Sequence, residues 1–386
     1  MSLVIYLDNA ATSWPKPPEV AQAVRNALAG AVGNPGRTNH RLAMSASTMV
    51  QECRENLAQL FGIANPLRVC FTANTTESLN LAIKGVLSPG DHVLCTSMEH
   101  NSVWRPLTAL QERGVELSIA ETDACGVVDL ASVDRLLRRN TKLIAILHAS
   151  NVNGAIQPVT EIGRLARKRC ITLLVDAAQT AGALPIDVEA MNIDLLAFPG
   201  HKGLLGPQGT GGLYVSEKVD LRPLKEGGTG SESNSPHQPL YYPDRLESGT
   251  LNLPGIAGLN ESVRYLLRRG VAQIARREEA LTQRLLTGLV KIDGVTVYGP
   301  PAGVSRAPVV SFNIRDRDPI LVATELERRA DIACRAGWHC AGLAHRTQGT
   351  QHTGAVRLSP GPFTKMTEIE TALGTIAEIS QEAQQL

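Results

Sequence analysis

The chain has 386 residues, 43% of them apolar and 19% charged, which describes a globular protein large enough for one big core and a smaller one. A net charge of +1 argues against an electrostatic nucleic-acid binder, and no stretch reaches the roughly 20 apolar residues of a membrane span. Seven scattered cysteines without CxxC spacing read as reduced thiols of a cytoplasmic protein, most of them small buried hydrophobes. The amino terminus reaches Asp8 before any long apolar run, so no secretory signal is expected.

In chain order, short apolar runs alternate with helical patterns. Strands are predicted at 68–72, 92–96, 116–120, 143–148, 172–176, 195–198 and 211–215. Helices are predicted at 18–28, 45–61, 77–87, 102–113, 130–138 and 162–169. The rhythm predicts an α/β fold with a mainly parallel seven-stranded sheet covered by helices, and ligands in such sheets bind beyond the carboxyl ends of the strands. Residues 226–243, rich in Gly, Ser and Pro, read as a long loop. One long helix is expected over 255–290, then strands at 295–298, 308–313, 332–335 and 355–358 and helices at 320–329 and 365–382. This last part reads as a smaller α+β domain. The expected division is 15–255 for the large domain, with 1–14 and 256–386 forming the small one.

Lys202 follows Gly200 and His201 and precedes a Gly-rich run between two apolar strands. A lysine held there can be partly desolvated, which lowers its pKa and yields the neutral amine a Schiff base needs. His201 and the backbone N–H groups around it suit a phosphate. Asp176 ends a buried-type strand and needs a cationic partner, such as a pyridinium nitrogen, or else caps the next helix. Gln179 lies one turn on and could reach a ring hydroxyl. Thr75 and Thr76 stand where a strand gives way to a helix, as a phosphate site or as plain caps. His100 and Asn151 follow two further strands. In the small domain, Arg335, His339 and Cys340 share a Gly-containing loop. There Cys340 is either an activated nucleophile or a buried thiol. Arg357, on a strand, could bind a substrate carboxylate bidentately or make a structural ion pair.

Taken together, these segments resemble the cysteine desulfurase/selenocysteine lyase family of class V aminotransferase-like, fold-type I pyridoxal 5'-phosphate (PLP) enzymes. The resemblance also covers Tyr6 to Thr12, Gly33 to His40 and Gly249 to Asn252. It implies Lys202 as the Schiff-base lysine, His100 stacked on the ring, Asp176 on the pyridine nitrogen and Gln179 on the ring hydroxyl. It implies Thr76 and His201 on the phosphate, joined by Thr250 of a neighbouring subunit, hence a homodimer with shared sites. Asn151 and Arg357, with Arg335, would orient the substrate. Cys340 would take sulfur from L-cysteine, or selenium from L-selenocysteine, and pass it to a protein acceptor, with iron–sulfur cluster assembly as the expected destination. Other C–S lyase or aminotransferase chemistry on the same cofactor, and a non-enzymatic scaffold, are the alternatives. Two positions depart from the family. Pro199 stands where relatives carry a phosphate-binding serine, and Trp338 stands where the SUF-type enzymes, otherwise alike in this loop, have histidine.

Overall fold

The structure is a computed structural model that describes residues 4–30, 33–36 and 40–383. Residues 37–39, part of the Gly33 to His40 motif, lie outside the described residues. A two-residue strand, β1 (Ile5–Tyr6), comes first, then α1 (Pro18–Ala29) and α2 (Arg41–Phe61). The alternating part runs β2 (Val69–Thr72), α3 (Thr75–Val86), β3 (His92–Thr96), α4 (Asn101–Gln111), β4 (Glu116–Ala120), α5 (Leu130–Leu136), β5 (Thr141–Leu147), α6 (Val159–Arg169), β6 (Thr172–Asp176), β7 (Leu195–Pro199) and β8 (Gly211–Val215). Then come α7 (Leu253–Arg269), α8 (Val271–Leu289), β9 (Val295–Tyr298), β10 (Val310–Ile314), α9 (Pro319–Ala330), β11 (Ile332–Ala333), β12 (Arg335–Gly337), α10 (Gly342–Thr347), β13 (Ala355–Leu358) and α11 (Met366–Ala383).

β2 to β8 form the expected seven-stranded sheet in the order β2-β8-β7-β6-β5-β3-β4. The β3–β4, β3–β5, β5–β6 and β6–β7 pairs are parallel, and only β8 runs against its neighbours β2 and β7. Because β8 is antiparallel to both, β2 runs in the same direction as β7. The carboxyl ends of β2, β3, β4, β5, β6 and β7 therefore lie along one edge, and all but that of β4 border one cavity. β3, β7 and β8 are buried along their whole length, as continuous apolar runs demand under helices on both faces. Phe61 and Phe198 pack with tilted rings 5.1 Å apart in the core beneath.

β12, β13, β10 and β9 form a four-stranded antiparallel sheet. Its core holds Phe312, Val356 and Ile376, and Leu7 from the start of the chain joins it. The expected single helix over 255–290 is two helices. Gly270 adopts φ 79 between them, a left-handed conformation that breaks the hydrogen-bond ladder while the apolar period continues. The expected strand at 332–335 is likewise two: β11 pairs with β1, β12 with β13, and the chain changes sheet at Cys334. The expectation of mostly buried cysteines also fails. Cys53, Cys70 and Cys95 are buried, Cys125 and Cys334 are half-buried, and Cys170 and Cys340, each at a left-handed turn position, are exposed.

Candidate active site

The five strand ends enclose a cavity of about 110 Å³ that brings together Thr75, Thr76, His100, Asn151, Asp176, Gln179, His201 and Lys202. A wider cavity of about 430 Å³ opens elsewhere, among Arg68, Arg167 and Glu217, and holds none of the predicted residues. Convergent polar groups with perturbed pKa values, rather than volume, mark the smaller one as the site.

Lys202 keeps part of its side chain open to solvent while its amine is enclosed. Burial, then the Arg357 guanidinium, pulls its pKa down to about 8, against the opposing pull of Asp176. Gly182 and Gly203 make this approach possible. Gly182 sits at φ +82, and a β-carbon there would lie 2.3 Å from the carbonyl oxygen of Gly203. Asp176 is buried, and its Oδ1 accepts the N–H of Ala178 at 2.9 Å. Desolvation raises its pKa to about 6, so a cation placed against it would restore its charge.

Asn74, not Thr75 or Thr76, caps α3: its side chain accepts the N–H of Glu77 at 3.0 Å. Both threonines are thereby released from capping. Thr76 Oγ1 meets Ser102 Oγ at 2.8 Å, whereas Thr75 Oγ1 is buried without a partner. His100 caps α4, its Nδ1 accepting the N–H of Ser102 at 3.0 Å, which leaves the proton on Nε2. Burial, reinforced by Lys202 and the arginines, lowers its pKa to about 4 and keeps the ring neutral. His201 Nδ1 lies 3.1 Å from Thr12 Oγ1, and burial lowers this histidine to about 4 as well.

Asn151 donates from Nδ2 to the His339 carbonyl at 2.7 Å, and its own carbonyl accepts from Arg357 Nη1 at 3.0 Å. Arg357 also pairs with Asp8 at 2.8 Å, so the arginine is structural as well as available: its Nε is buried and unpartnered. Gln179 Nε2 donates to the Ala10 carbonyl at 3.1 Å. Arg335 Nη2 lies 3.8 Å from the exposed Cys340 Sγ. Thr250 is the one predicted residue away from the rest. It lines a separate cavity of about 170 Å³ with Glu77 and Lys225, because the 226–252 segment folds back along β2.

Ser102, Asp8 and Lys16 escaped sequence reasoning. Lys16 Nζ reaches Ser13 Oγ at 2.9 Å and the His201 carbonyl at 3.2 Å, and burial lowers it to about 8. Only the position of Ser102 two residues beyond His100 could have singled it out.

The sequence pattern of the family described as Aminotransferase class-V matches residues 5–372. The chain belongs to the class V aminotransferase family. Among its relatives in that family, a probable cysteine desulfurase of Methanothermobacter thermautotrophicus is 37% identical over 382 residues, spanning 97% of this chain and 94% of the relative. A cysteine desulfurase IscS of Vibrio campbellii is 35% identical, spanning 97% and 92%. The apo structure of a cysteine desulfurase from Thermococcus onnurineus superposes with a TM-score of 0.92 at 35% identity, covering 98% of this chain and 95% of that one. The cysteine desulfurase CsdA of Escherichia coli gives 0.88 at 26% identity, covering 98% and 95%. Within the family, then, this chain groups with the cysteine desulfurases, and the family's cofactor is PLP.

This class V aminotransferase has the residues to hold that cofactor. The unpartnered Thr75 hydroxyl at the amino end of α3 fits a phosphate, Asp176 a ring nitrogen, and the enclosed Lys202 amine an aldehyde.

Proposed function

We propose that this protein is a PLP-dependent cysteine desulfurase that moves the sulfur of L-cysteine onto Cys340 and releases L-alanine. One observation carries the reading beyond PLP chemistry in general. Cys340 is an exposed thiol beside the Arg335 guanidinium, and its loop is bonded to Asn151, which itself lines the Lys202 cavity.

When bound, PLP supplies an electron sink that loosens bonds at the α- and β-carbons of the amino acid. The protein does the rest. Asp176 keeps the ring nitrogen charged. The Lys202 amine would take the α-proton and return it at carbon, and His100, neutral with its proton on Nε2 and lining the same cavity, would serve as a second acid–base group. Arg357 and Asn151 hold the substrate carboxylate. The Cys340 sulfur then attacks the substrate sulfur: an S–S bond forms, the C–S bond breaks, and the electron pair stays with carbon. Carbon is reduced as sulfur is oxidised, so cysteine and the thiol become alanine and a persulfide with no outside oxidant.

The same reading extends to a cytoplasmic homodimer in which Thr250 serves the partner's phosphate site, and to a protein that collects the persulfide for iron–sulfur cluster assembly. The position of Thr250 supports the first: it lies apart from the Lys202 cavity of its own chain. For the location, no helix among the described residues is long and apolar enough to cross a membrane.

The experiment is product analysis with L-cysteine and L-selenocysteine, with and without a thiol acceptor, on wild type and Cys340→Ser. Alanine from wild type with cysteine, and a drop of about a hundredfold in the variant with its PLP absorbance intact, is the expected result. Alanine from neither substrate would sink the proposal. Alanine from selenocysteine alone would reassign the protein as a selenocysteine lyase.

A further inference from the structure

We propose that His345 and Thr350 form, with His339, a one-way hydrogen-bond relay that positions Cys340 for attack on the substrate sulfur. This rests on the reading of Cys340 as the sulfur acceptor.

His339 and His345 are both buried, their rings stacked 5.5 Å apart at 20°. His339 Nε2 faces the Arg335 carbonyl at 3.5 Å, and His339 Nδ1 faces His345 Nε2 at 3.3 Å. His345 Nδ1 meets Thr350 Oγ1 at 2.7 Å. A carbonyl can only accept, so His339 carries its proton on Nε2 and must accept at Nδ1. His345 therefore donates from Nε2 and accepts at Nδ1 the Thr350 hydroxyl, which lies 2.7 Å away there against 3.5 Å from the His345 carbonyl. Each ring gives one hydrogen bond and takes one, and the direction is fixed from Thr350 to Arg335. Burial holds both imidazoles neutral, His339 near 2 and His345 near 4, so the pattern is not scrambled by protonation.

The loop needs such a brace. Gly337, His339 and Cys340 all adopt positive φ, at 108, 49 and 56. For the two residues with side chains that conformation is strained. The His339 ring is gripped by the relay while its carbonyl is gripped by Asn151. With both ends of His339 fixed, the next residue has one orientation, which sets Cys340 Sγ beside Arg335. α10, which begins directly after the turn at Cys340 and Ala341, carries His345 and serves as the brace. Neither His345 nor Thr350 lines the Lys202 cavity, so both are positioning residues.

The test uses holoenzyme and iodoacetamide, reading the alkylation rates of Cys340 and Cys170 by peptide mass spectrometry. Cys170 is the other exposed thiol and ends α6, far along the chain from the relay, so it serves as an internal control. In His345→Phe the Cys340 to Cys170 ratio is expected to fall about tenfold, and kcat for alanine with it, as for a loop displaced by a fraction of the 1 Å that costs about a hundredfold. KM and PLP absorbance stay within about twofold of wild type, the scale of an unchanged binding site. His345→Gln can still donate to His339 and is expected to restore most of the ratio. Thr350→Val, which loses only the hydroxyl, moves the same way by less and stands in if His345→Phe does not fold. A wild-type ratio in both His345→Phe and Thr350→Val would overturn the proposal, and so would an equal change at both cysteines. The alkylation ratio reads the relay even if Cys340→Ser keeps full desulfuration, so a failure of the proposed function is distinguishable.

Discussion

The carbonyl of Cys340 accepts the backbone N–H of Asn101 at 2.8 Å. Asn101 is the first residue of α4 and directly follows His100, so the Cys340 backbone is tied to the helix that His100 caps. The α4 amino end spends one of its free N–H groups on this tie. Proline is tolerated at this helix position, and His100 at φ -67 and ψ 154 already has the extended backbone a following proline requires. Asn101→Pro therefore keeps α4 but removes the donor and puts a ring carbon where the Cys340 oxygen sits. Thermal stability should change by no more than about 1 kcal/mol, the net worth of one hydrogen bond. Alanine formation should drop about a hundredfold from displacement of the loop. Melting curves and turnover measured together check this, and unchanged turnover would show that the tie has no part in placing the sulfur.

Lys202 sets the pH at which apoprotein takes up cofactor. Its ordinary pKa is 10.5, lowered by burial to about 8. Only the neutral amine attacks an aldehyde. The rate of PLP attachment should thus rise through pH 8 and level off above it, instead of climbing on towards pH 10.5. Absorbance stopped-flow from pH 6.5 to 10 reads the curve directly, and a rate still rising tenfold per unit at pH 9.5 would contradict it.

The strand ends were legible because each strand is a compact apolar run, with a polar residue at its end, as at Asp176, or a few residues beyond it, as at His100 and Asn151. A parallel sheet then brings those stops to one edge by topology alone. The helix break at Gly270 was not legible, since the apolar period runs on across it and only the backbone conformation marks the change. Asn74 was passed over as the cap because three polar residues in a row offer the same chemistry. His345 was invisible for a different reason. Its partners, His339 and Thr350, are near in sequence, yet only the left-handed turn at His339 and Cys340 folds the rings onto each other. Asp8 joins Arg357 across nearly the whole chain, a pairing that no local pattern reveals.

Glu278 on α8 is buried, its Oε2 has no partner, and it borders a cavity of about 30 Å³ shared with Asn9, Ser13 and Lys202. Desolvation alone raises its pKa from 4.5 to about 8. The folded protein keeps this proton where the unfolded chain has lost it, so the group's contribution is intact below pH 4.5 and declines as pH rises towards and through 8. Glu278→Gln should match wild type near pH 4 and gain stability as pH rises. The difference should reach on the order of 2 kcal/mol by pH 8.5, well under the full linkage limit because buried carboxyls relax and admit water. Urea unfolding at several pH values measures it. A constant offset across pH would mean that Glu278 is not protonated in the fold.

Thr75→Val should act in opposite directions on apoprotein and holoprotein. The Thr75 hydroxyl is buried at the amino end of α3 with no protein partner, a position that carries a desolvation cost until something binds it. Valine has the same shape without the hydroxyl, so apoprotein should gain about 1 kcal/mol, the cost of one unsatisfied buried group. In holoprotein the hydroxyl would lose a charge-assisted bond to phosphate, and PLP affinity should weaken about tenfold, the equivalent of about 1.4 kcal/mol. Inorganic phosphate, added to apoprotein, should raise the melting temperature of wild type more than that of the variant, which isolates the phosphate contact from the Lys202 bond. Pro199 sharpens the expectation. It lines the same cavity and has no side-chain donor, so α3 must supply hydroxyls that β7 does not. If Thr75→Val binds PLP like wild type and melts no higher as apoprotein, the hydroxyl is not a phosphate ligand, and the α3 amino end would hold the group through its N–H donors and Thr76 alone.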